Sequence, residues 1–274
     1  MKKATRNTKS SGKGKWRFLA AAAIAVAAIA GIIVGLGRIR DIVRDPCVVR
    51  SMSEQIEIRS GKMVKPDVIA ENLGLRPGVN LAEIDFTERR KELLARIPTL
   101  REVSITRRLP DRVLVVAEER EPVARIGVRG QRGVSGRVVD AEGMVFLCQR
   151  GTHLLPAISE PSAPGTQPGR KVKKRTLAAL ALILACRDGA FSELGLQAVD
   201  VSKPDYLLAT LGDYSRLKIA WDGMDDQETE ASRKSLDERL SLLVKTIRSN
   251  VAPGAKTWNA TMPKHIYADS QERR

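Results

Sequence analysis

The sequence has few of the side chains from which catalytic and metal sites are built. It holds two histidines, three cysteines and only 4% aromatic residues among 274. His153 and His265 stand in unrelated segments, and the motifs of zinc proteases, serine hydrolases and phosphate-binding loops do not occur. We therefore predict no catalytic residue, no metal site, no cofactor and no small-molecule substrate. The expected role is to bind or hold other proteins.

Cysteine is too scarce for a framework of disulfides. The three residues Cys47, Cys148 and Cys186 are widely spaced and odd in number. A single pair between Cys148 and Cys186 stays open at this point. Three buried free thiols are the alternative that we favour.

Negative charge is missing from residues 1–17, which hold seven Lys or Arg and no Asp or Glu. The net charge of the chain is +15, so nearly half of the excess lies in this short polar tail. The remaining positive charge is dispersed over the rest of the chain, which is typical of a solvated basic surface. We therefore predict that the protein does not bind nucleic acid.

Only one apolar run is long enough to cross a membrane. Residues 18–36 are nineteen positions without a charge, and a helix rising about 1.5 Å per residue nearly spans a hydrocarbon core of about 30 Å. We predict a transmembrane helix at residues 18–37, with a cytoplasmic tail at residues 1–17 and a linker at residues 38–53 outside. A cleaved signal peptide is the competing interpretation, although the run exceeds the usual length of a signal core.

The hydrophobic periodicity changes in an ordered way across residues 54–124. Alternating Ile56 and Ile58 predict a short strand, and two helical patterns follow it. Two further alternating segments flank a Leu-Pro-Asp turn and predict a pair of antiparallel strands. The predicted order is β-α-α-β-β, with the helices at residues 66–73 and 87–97 and the later strands around residues 103–105 and 113–115.

The sequence pattern of residues 125–269 predicts a second, mixed α+β domain with a curved antiparallel sheet. A short tail at residues 270–274 follows it. The Gly- and Arg-rich run 125–137 lacks the strand-to-helix context of a phosphate loop and is interpreted as a connection. Residues 154–159 are expected as a buried edge segment and residues 159–169 as an exposed loop. The other predicted elements are a hairpin around residues 140–143, a helix capped by Thr176, strands at 198–201, 206–211 and 217–221, a long helix at 228–249, and two short strands or one interrupted edge strand around Pro263.

Several residues give the chain a resemblance to a known family. They lie in the turn of the first module, before and within its strand hairpin, at its end, and in the Asp-x-x-Gly hairpin and Leu-Leu-Pro run that follow. With the apolar segment at residues 18–36, this pattern resembles the FtsQ/DivIB family of bacterial cell-division proteins. The resemblance implies a POTRA domain at residues 54–124 and a β-domain at residues 125–269. The matching positions are Gly78, Asn80, Leu81, Asp85, Pro98, Arg107, Pro110, Glu119, Arg120, Pro122, Val123 and Ala124.

The resemblance also implies a function. Members of the family are non-enzymatic scaffolds of the division machinery in the cell (inner) membrane at the septum, where they recruit later proteins and restrain septal wall synthesis. Their last strands bind FtsB in complex with FtsL, and an edge strand suits an added segment. By position, the partner-binding residues implied in the last strands are Thr261, Met262, Lys264, Ile266 and Tyr267. Ile56 and Ile58 are implied in recruitment through the first module.

Two other classes of protein stay as alternatives. One is a POTRA-containing factor of an export or outer-membrane assembly route, which would carry a cleaved signal. The other is an anchored cell-wall enzyme with an unrecognised active site.

Overall fold

A computed structural model describes residues 29, 31–34, 47–108, 110–129, 136–187, 189–221 and 230–269 of the chain. The tail, most of the transmembrane helix predicted at residues 18–37 and most of the predicted linker lie outside these residues. Ile29 and residues 31–34 are helical and exposed. Within the described ranges, no helix combines the length and apolar character needed to cross a membrane.

The first module has the predicted order of elements. A short helix α1 (Met52–Gln55) precedes β1 (Ile56–Arg59), and two helices, two strands and the turn between them follow. The strands form a three-stranded sheet in the order β1-β3-β2. The β-α-α-β-β prediction is confirmed, with helix ends within two residues of those expected. The elements are α2 (Pro66–Asn72), α3 (Phe86–Arg96), β2 (Leu100–Arg108) and β3 (Arg112–Glu119).

Local chemistry accounts for the start and end of α2. Pro66 occupies its first turn, where a missing N–H costs nothing, and Lys65 before it is extended as a residue preceding proline should be. Gly74 follows the helix at φ 73°, a conformation that favours glycine. The helix contacts α3. Ile69, Leu73 and Leu93 are fully buried.

The described residues separate into two compact units. One contains the residues up to Glu57 with Gly74–Asp85 and Thr106–Leu114, and the other contains Ile58–Leu73, Phe86–Ile105 and the residues from Val115 onward. The domain boundary between residues 124 and 125 therefore stays a prediction.

Glu119 and Arg120, where β3 ends, bind two different segments of the second unit. The Glu119 carboxylate accepts backbone N–H bonds from Lys62 (2.9 Å), Met63 (2.9 Å) and Val64 (2.7 Å). Three N–H donors on one carboxylate make a charge-assisted anchor for this loop. The loop therefore depends on a single side chain of β3.

The Arg120 guanidinium is nearly buried in an ion pair. Its Nη1 lies 2.5 Å from Asp140 Oδ2 and 3.4 Å from Glu142 Oε2. Its Nε donates to the Pro98 carbonyl at 3.0 Å. The side chains of Arg120 and Asp140 are 11% and 7% exposed, so water screens this pair little.

The second sheet has nine strands in the order β12-β11-β10-β9-β8-β7-β4-β5-β6. Its last strand along the chain, β12, therefore lies at one end of the sheet. Two helices connect its strands, α4 (Lys174–Arg187) between β7 and β8 and α5 (Glu230–Arg248) between β10 and β11. The strands are β4 (Ala124–Val128), β5 (Arg137–Val139), β6 (Val145–Leu147), β7 (Ala157–Glu160), β8 (Ala198–Asp200), β9 (Tyr206–Thr210), β10 (Arg216–Ala220), β11 (Thr257–Met262) and β12 (His265–Asp269).

The expectation of an antiparallel sheet is wrong, because the sheet is mixed. Strands β4 and β7, β7 and β8, and β10 and β11 pair in parallel, whereas the other neighbours are antiparallel. Parallel neighbours need a long crossover connection. The helices α4 and α5 supply it for two of the three pairs.

The segment after the β5–β6 hairpin also differs from the prediction. Strand β7 was expected at an edge but lies between β4 and β8, paired on both sides. The region expected as an exposed loop contains buried Glu160, Gly165 and Thr166. Helix α4 begins at Lys174, and the Thr176 hydroxyl donates to the Glu160 carboxylate rather than capping the helix. That buried hydrogen bond explains why Glu160 can leave water.

One face of the nine-stranded sheet is covered by both helices. A row of directly opposite residues crosses six strands on this face, each at most 5% exposed. Buried leucines of α4 and α5 belong to the same core. Burying one valine, leucine or isoleucine side chain of this core stabilises the fold by about 1.5–3 kcal/mol. The residues of the row are Ile126, Ile158, Val199, Ala209, Leu217 and Trp258.

The opposite face of the same strands is polar and half-exposed. In each of five strands, a neighbour of the buried-row residue lies on this face. These neighbours form a row of directly opposite residues across the face: Ser159, Asp200, Leu208, Lys218 and Asn259. Alternate residues of a strand face opposite sides of the sheet. We call this side the outer face.

The three cysteines are free and buried. The pairing between Cys148 and Cys186, left open above, does not form, and the favoured alternative of buried thiols is confirmed. The Cys148 thiol donates to the Arg150 carbonyl at 3.3 Å. Cys186 belongs to α4, and its side chain lies in the core that this helix forms with the sheet.

Cys186 should make stability fall with pH above 9. Burial raises the pKa of its thiol from 9.0 to about 12, so between these values the unfolded chain loses a proton that the folded protein keeps. The unfolding free energy therefore decreases, by about 1.4 kcal/mol at pH 10. We expect Cys186→Ala to remove this part of the decline in urea titrations between pH 8 and 11. If the unfolding free energies of the variant and the wild type decline equally over this pH range, Cys186 is not the cause of the decline.

Candidate partner-binding site

The β11–β12 hairpin carries the partner-binding residues implied by the resemblance. Pro263 and Lys264 form the turn between the strands. Proline cannot donate to a ladder and here lies outside both strands, so of the two predicted alternatives the structure has two short strands rather than one interrupted edge strand. Among the described strands, β12 is an edge strand that pairs with β11 alone.

The structure brings the five residues into one hairpin but divides them between its two faces. Met262 and Tyr267 are each 54% exposed. Lys264 is exposed in the turn, and Thr261 is half-buried. Ile266 points the other way and packs against the core beneath α5. A partner on the outer face can therefore touch the side chains of Met262, Lys264 and Tyr267, but not that of Ile266.

Three side chains form a continuous group on the outer face of the hairpin. The Tyr267 hydroxyl lies 4.0 Å from the sulfur of Met262. The ring centroids of His265 and Tyr267 are 6.4 Å apart with a tilt of 37°. We call Met262, His265 and Tyr267 the hairpin patch. Aromatic and thioether groups of this kind supply large contact areas that adapt to a partner.

His265 is the member of the hairpin patch that sequence reasoning missed. It precedes Tyr267 by two residues, so strand periodicity alone places the two side chains on the same face. That signal was available in the sequence.

The other two implied residues lie in β1, an outer strand of the three-stranded sheet. Ile56 is buried at 9% exposure, and Ile58 is half-buried. A contact through Ile56 would therefore have to use the backbone of β1 rather than the side chain. The strand adjoins a cavity of roughly 290 Å³, whose charged lining residues are Glu54, Glu57, Arg108 and Arg112.

Gln55 fixes the entry into β1. Its side-chain oxygen accepts N–H bonds from Arg50 (2.5 Å) and Ser51 (2.8 Å), and its nitrogen donates to Asp111 Oδ2 at 2.8 Å. With a further bond to the Val48 carbonyl, this buried amide satisfies its donors and acceptors. Sequence periodicity gave no sign of this role.

No cluster of three His, Cys, Asp or Glu side chains that could hold a metal ion occurs within the described part of the chain. The absence of a metal and of a cofactor stays a prediction.

Fold and site together define an α+β protein with a POTRA module and a mixed-sheet domain that ends in an exposed edge strand. Residues 51–120 match the model of the POTRA domain, FtsQ-type. Over 206 residues the chain is 23% identical to the cell division protein FtsQ of Corynebacterium glutamicum, a match covering 75% of this chain and 86% of that relative. Residues 51–120 are therefore a POTRA domain of the FtsQ type, and the chain is similar to a cell division protein FtsQ over most of its length.

Proposed function

We propose that the protein is a bitopic scaffold of the bacterial divisome. It links septal division proteins to one another and helps to control septal wall synthesis, without catalysing a reaction. In this proposal residues 18–37 anchor it in the cell membrane with the N-terminus in the cytoplasm, and the two sheets lie outside. The FtsQ-type POTRA domain and the similarity to a cell division protein FtsQ support a role in cell division.

The observation that carries the proposal is the edge strand β12 beside the hairpin patch. A partner segment in extended conformation can add to the edge as a tenth strand, and the main-chain hydrogen bonds supply affinity. Side chains of alternate partner residues then meet His265 and Tyr267, which supplies specificity. The partners proposed for this edge are division proteins of the FtsB and FtsL type.

A second contact is proposed at β1 of the POTRA module. Strand β1 is an outer strand of its sheet, and Ile58 within it is half-buried. Recruitment there would use the β1 backbone with Ile58, because the Ile56 side chain is turned into the core.

Tyr267→Ala should weaken the complex with the FtsB- and FtsL-type proteins of the same organism by about tenfold to a hundredfold. Truncating a large aromatic side chain at the centre of an interface typically costs about 1–3 kcal/mol. Calorimetric titration with the full chain in detergent measures the effect. Tyr214→Ala is the matched control, because Tyr214 is 77% exposed in the β9–β10 turn and outside the hairpin patch. Equal affinity of the two variants would refute the assignment of the site.

Depletion of the protein tests the division role itself. We expect cells to stop dividing and a fluorescent fusion of the full chain to concentrate at the septum. Normal division after depletion, together with a uniform membrane signal of the fusion, would overturn the proposed function.

A further inference from the structure

The β11–β12 ladder contains a change of register at the hairpin patch. Asn259 lies opposite Tyr267, whereas Met262 lies opposite His265. Between these two pairs β11 has two residues, Ala260 and Thr261, and β12 has only Ile266. An extra residue in one strand of an antiparallel pair is a β-bulge, and bulges often re-aim a side chain beside a functional site.

The bulge decides which face Met262 occupies. Trp258 and Ala260 point into the core at 5% and 0% exposure, so strict alternation along β11 would send Met262 to the same side. Because of the extra residue, Met262 instead lies opposite exposed His265 and is itself 54% exposed. Residues directly opposite in a ladder share a face. The hairpin patch exists only because the register shifts.

Asn259 holds the bulge through its side chain. Its Oδ1 accepts the backbone N–H of Thr261 at 3.1 Å and the Thr261 hydroxyl at 2.7 Å. The Thr261 N–H is thereby used locally rather than in a strand ladder. Half-buried Asn259 also lies between Lys218 and Tyr267 in the row that crosses the outer face.

The neighbouring strand ends at the same level. The β10–β11 register runs as far as Ile219 opposite Ala260. The carbonyl of Ala220, the next residue, accepts a hydrogen bond from Arg239 Nη1 of α5 at 3.1 Å. Arg239 is 9% exposed. The β10–β11 pairing therefore ends one residue before Thr261, the residue that Asn259 binds. Nearly buried Arg239 binds the β10 carbonyl that follows the last pair.

We propose that Asn259 is a positioning residue of the partner-binding site. By keeping Thr261 in the bulge it turns the Met262 thioether to the outer face, where it forms one contact surface with Tyr267. The partner segment that fits this surface is an extended strand with a large apolar side chain beside the Met262 sulfur and the Tyr267 ring. This inference rests on the proposed function of the β12 edge.

A second copy of the same local motif provides a matched control. In the β9–β10 turn, Asp213 Oδ1 accepts the backbone N–H of Ser215 at 2.9 Å and its hydroxyl at 2.6 Å. Asp213→Ala removes the same pair of hydrogen bonds as Asn259→Ala. It does so in a turn outside the hairpin patch.

The test uses the full chain in detergent and two readouts. The first is oxidation of Met262 by hydrogen peroxide, followed by mass spectrometry, with 37% exposed Met63 as the internal reference. We expect Asn259→Ala to lower the rate at Met262 relative to Met63 by at least about threefold, while Asn259→Asp, which keeps the acceptor oxygen, and Asp213→Ala leave it unchanged. The second readout is affinity for the FtsB- and FtsL-type proteins, which Asn259→Ala should lower by about tenfold or more.

The two readouts separate the failure of this inference from failure of the proposed function. An unchanged oxidation rate at Met262 in Asn259→Ala overturns the positioning role. A changed rate with wild-type affinity overturns it too, because the bulge then does not serve the partner. If the wild type does not bind these proteins while the oxidation rate changes, the proposed function is wrong and Asn259 remains the residue that exposes Met262.

Discussion

Arg120→Met should lower the free energy of unfolding by about 3–5 kcal/mol, because it removes one partner of a nearly buried ion pair. Asp140 would lose its ion-pair partner at a site where its side chain is 7% exposed. The Pro98 carbonyl would also lose the guanidinium as its donor. Urea unfolding of the full chain, followed by circular dichroism, measures the loss.

Two further variants identify the cause of that loss. Asp140→Asn in the Arg120→Met background should restore part of the stability, since no buried carboxylate is then left unpaired. Arg101→Met is the matched control, because Arg101 binds Glu142 at 2.7 Å with both side chains about half exposed. Its cost should stay below about 1 kcal/mol. Similar losses for Arg120→Met and Arg101→Met would show that burial does not set the strength of the Arg120 pair.

Ile158→Ala should cost about 2–5 kcal/mol, the range for truncating a buried isoleucine. Ile158 is 1% exposed in β7, in the middle of the sheet and among the side chains of the main core. The same unfolding measurement gives the value.

The adjacent residue supplies the control for the direction of β7. Ser159 lies on the outer face and is half-buried, so Ser159→Ala should change stability by no more than about 0.5 kcal/mol. A larger cost at Ser159 than at Ile158 would mean that the two faces of β7 are assigned the wrong way round.

The first module could be predicted because its signals are local. Pro66 marks the start of a helix, Leu93 lies on an apolar helical stripe, and the buried Val113 and Val115 alternate with less buried residues as in a strand with one core face. Each of these patterns depends on the residues within one or two turns of the chain. Helix and strand positions follow from them to within a few residues.

Strand pairing in the second sheet depends on residues far apart in sequence. Nothing within residues 154–159 distinguishes an edge strand from β7 between two parallel neighbours, since either would be short and apolar. The direction of β10 and β11 likewise depends on how α5 packs. An amphipathic stripe such as Leu236, Leu240 and Leu243 predicts the buried face of a helix but not the strands that the helix connects.

In the candidate site, too, local features could be predicted from the sequence and features that depend on strand pairing could not. The resemblance indicated five residues that lie in one hairpin, but it could not show that Ile266 and Tyr267 face opposite sides of that hairpin. The bulge at Asn259 was missed because an extra residue in one strand becomes visible only when the partner strand is known. His265 was missed although its spacing from Tyr267 was informative.

The placement of Glu119 and Arg120 side by side limits how this part of the gene can change in length. Inserting or deleting one codon within β3 would exchange the directions of the two side chains, because successive strand residues face opposite sides. An insertion would place the Glu119 carboxylate where Arg120 now faces Asp140, and a deletion would place the Arg120 guanidinium where Glu119 now faces the amides of residues 62–64. Substitution of exposed Glu118 should change stability little, whereas insertions and deletions between Val113 and Arg120 should be selected against.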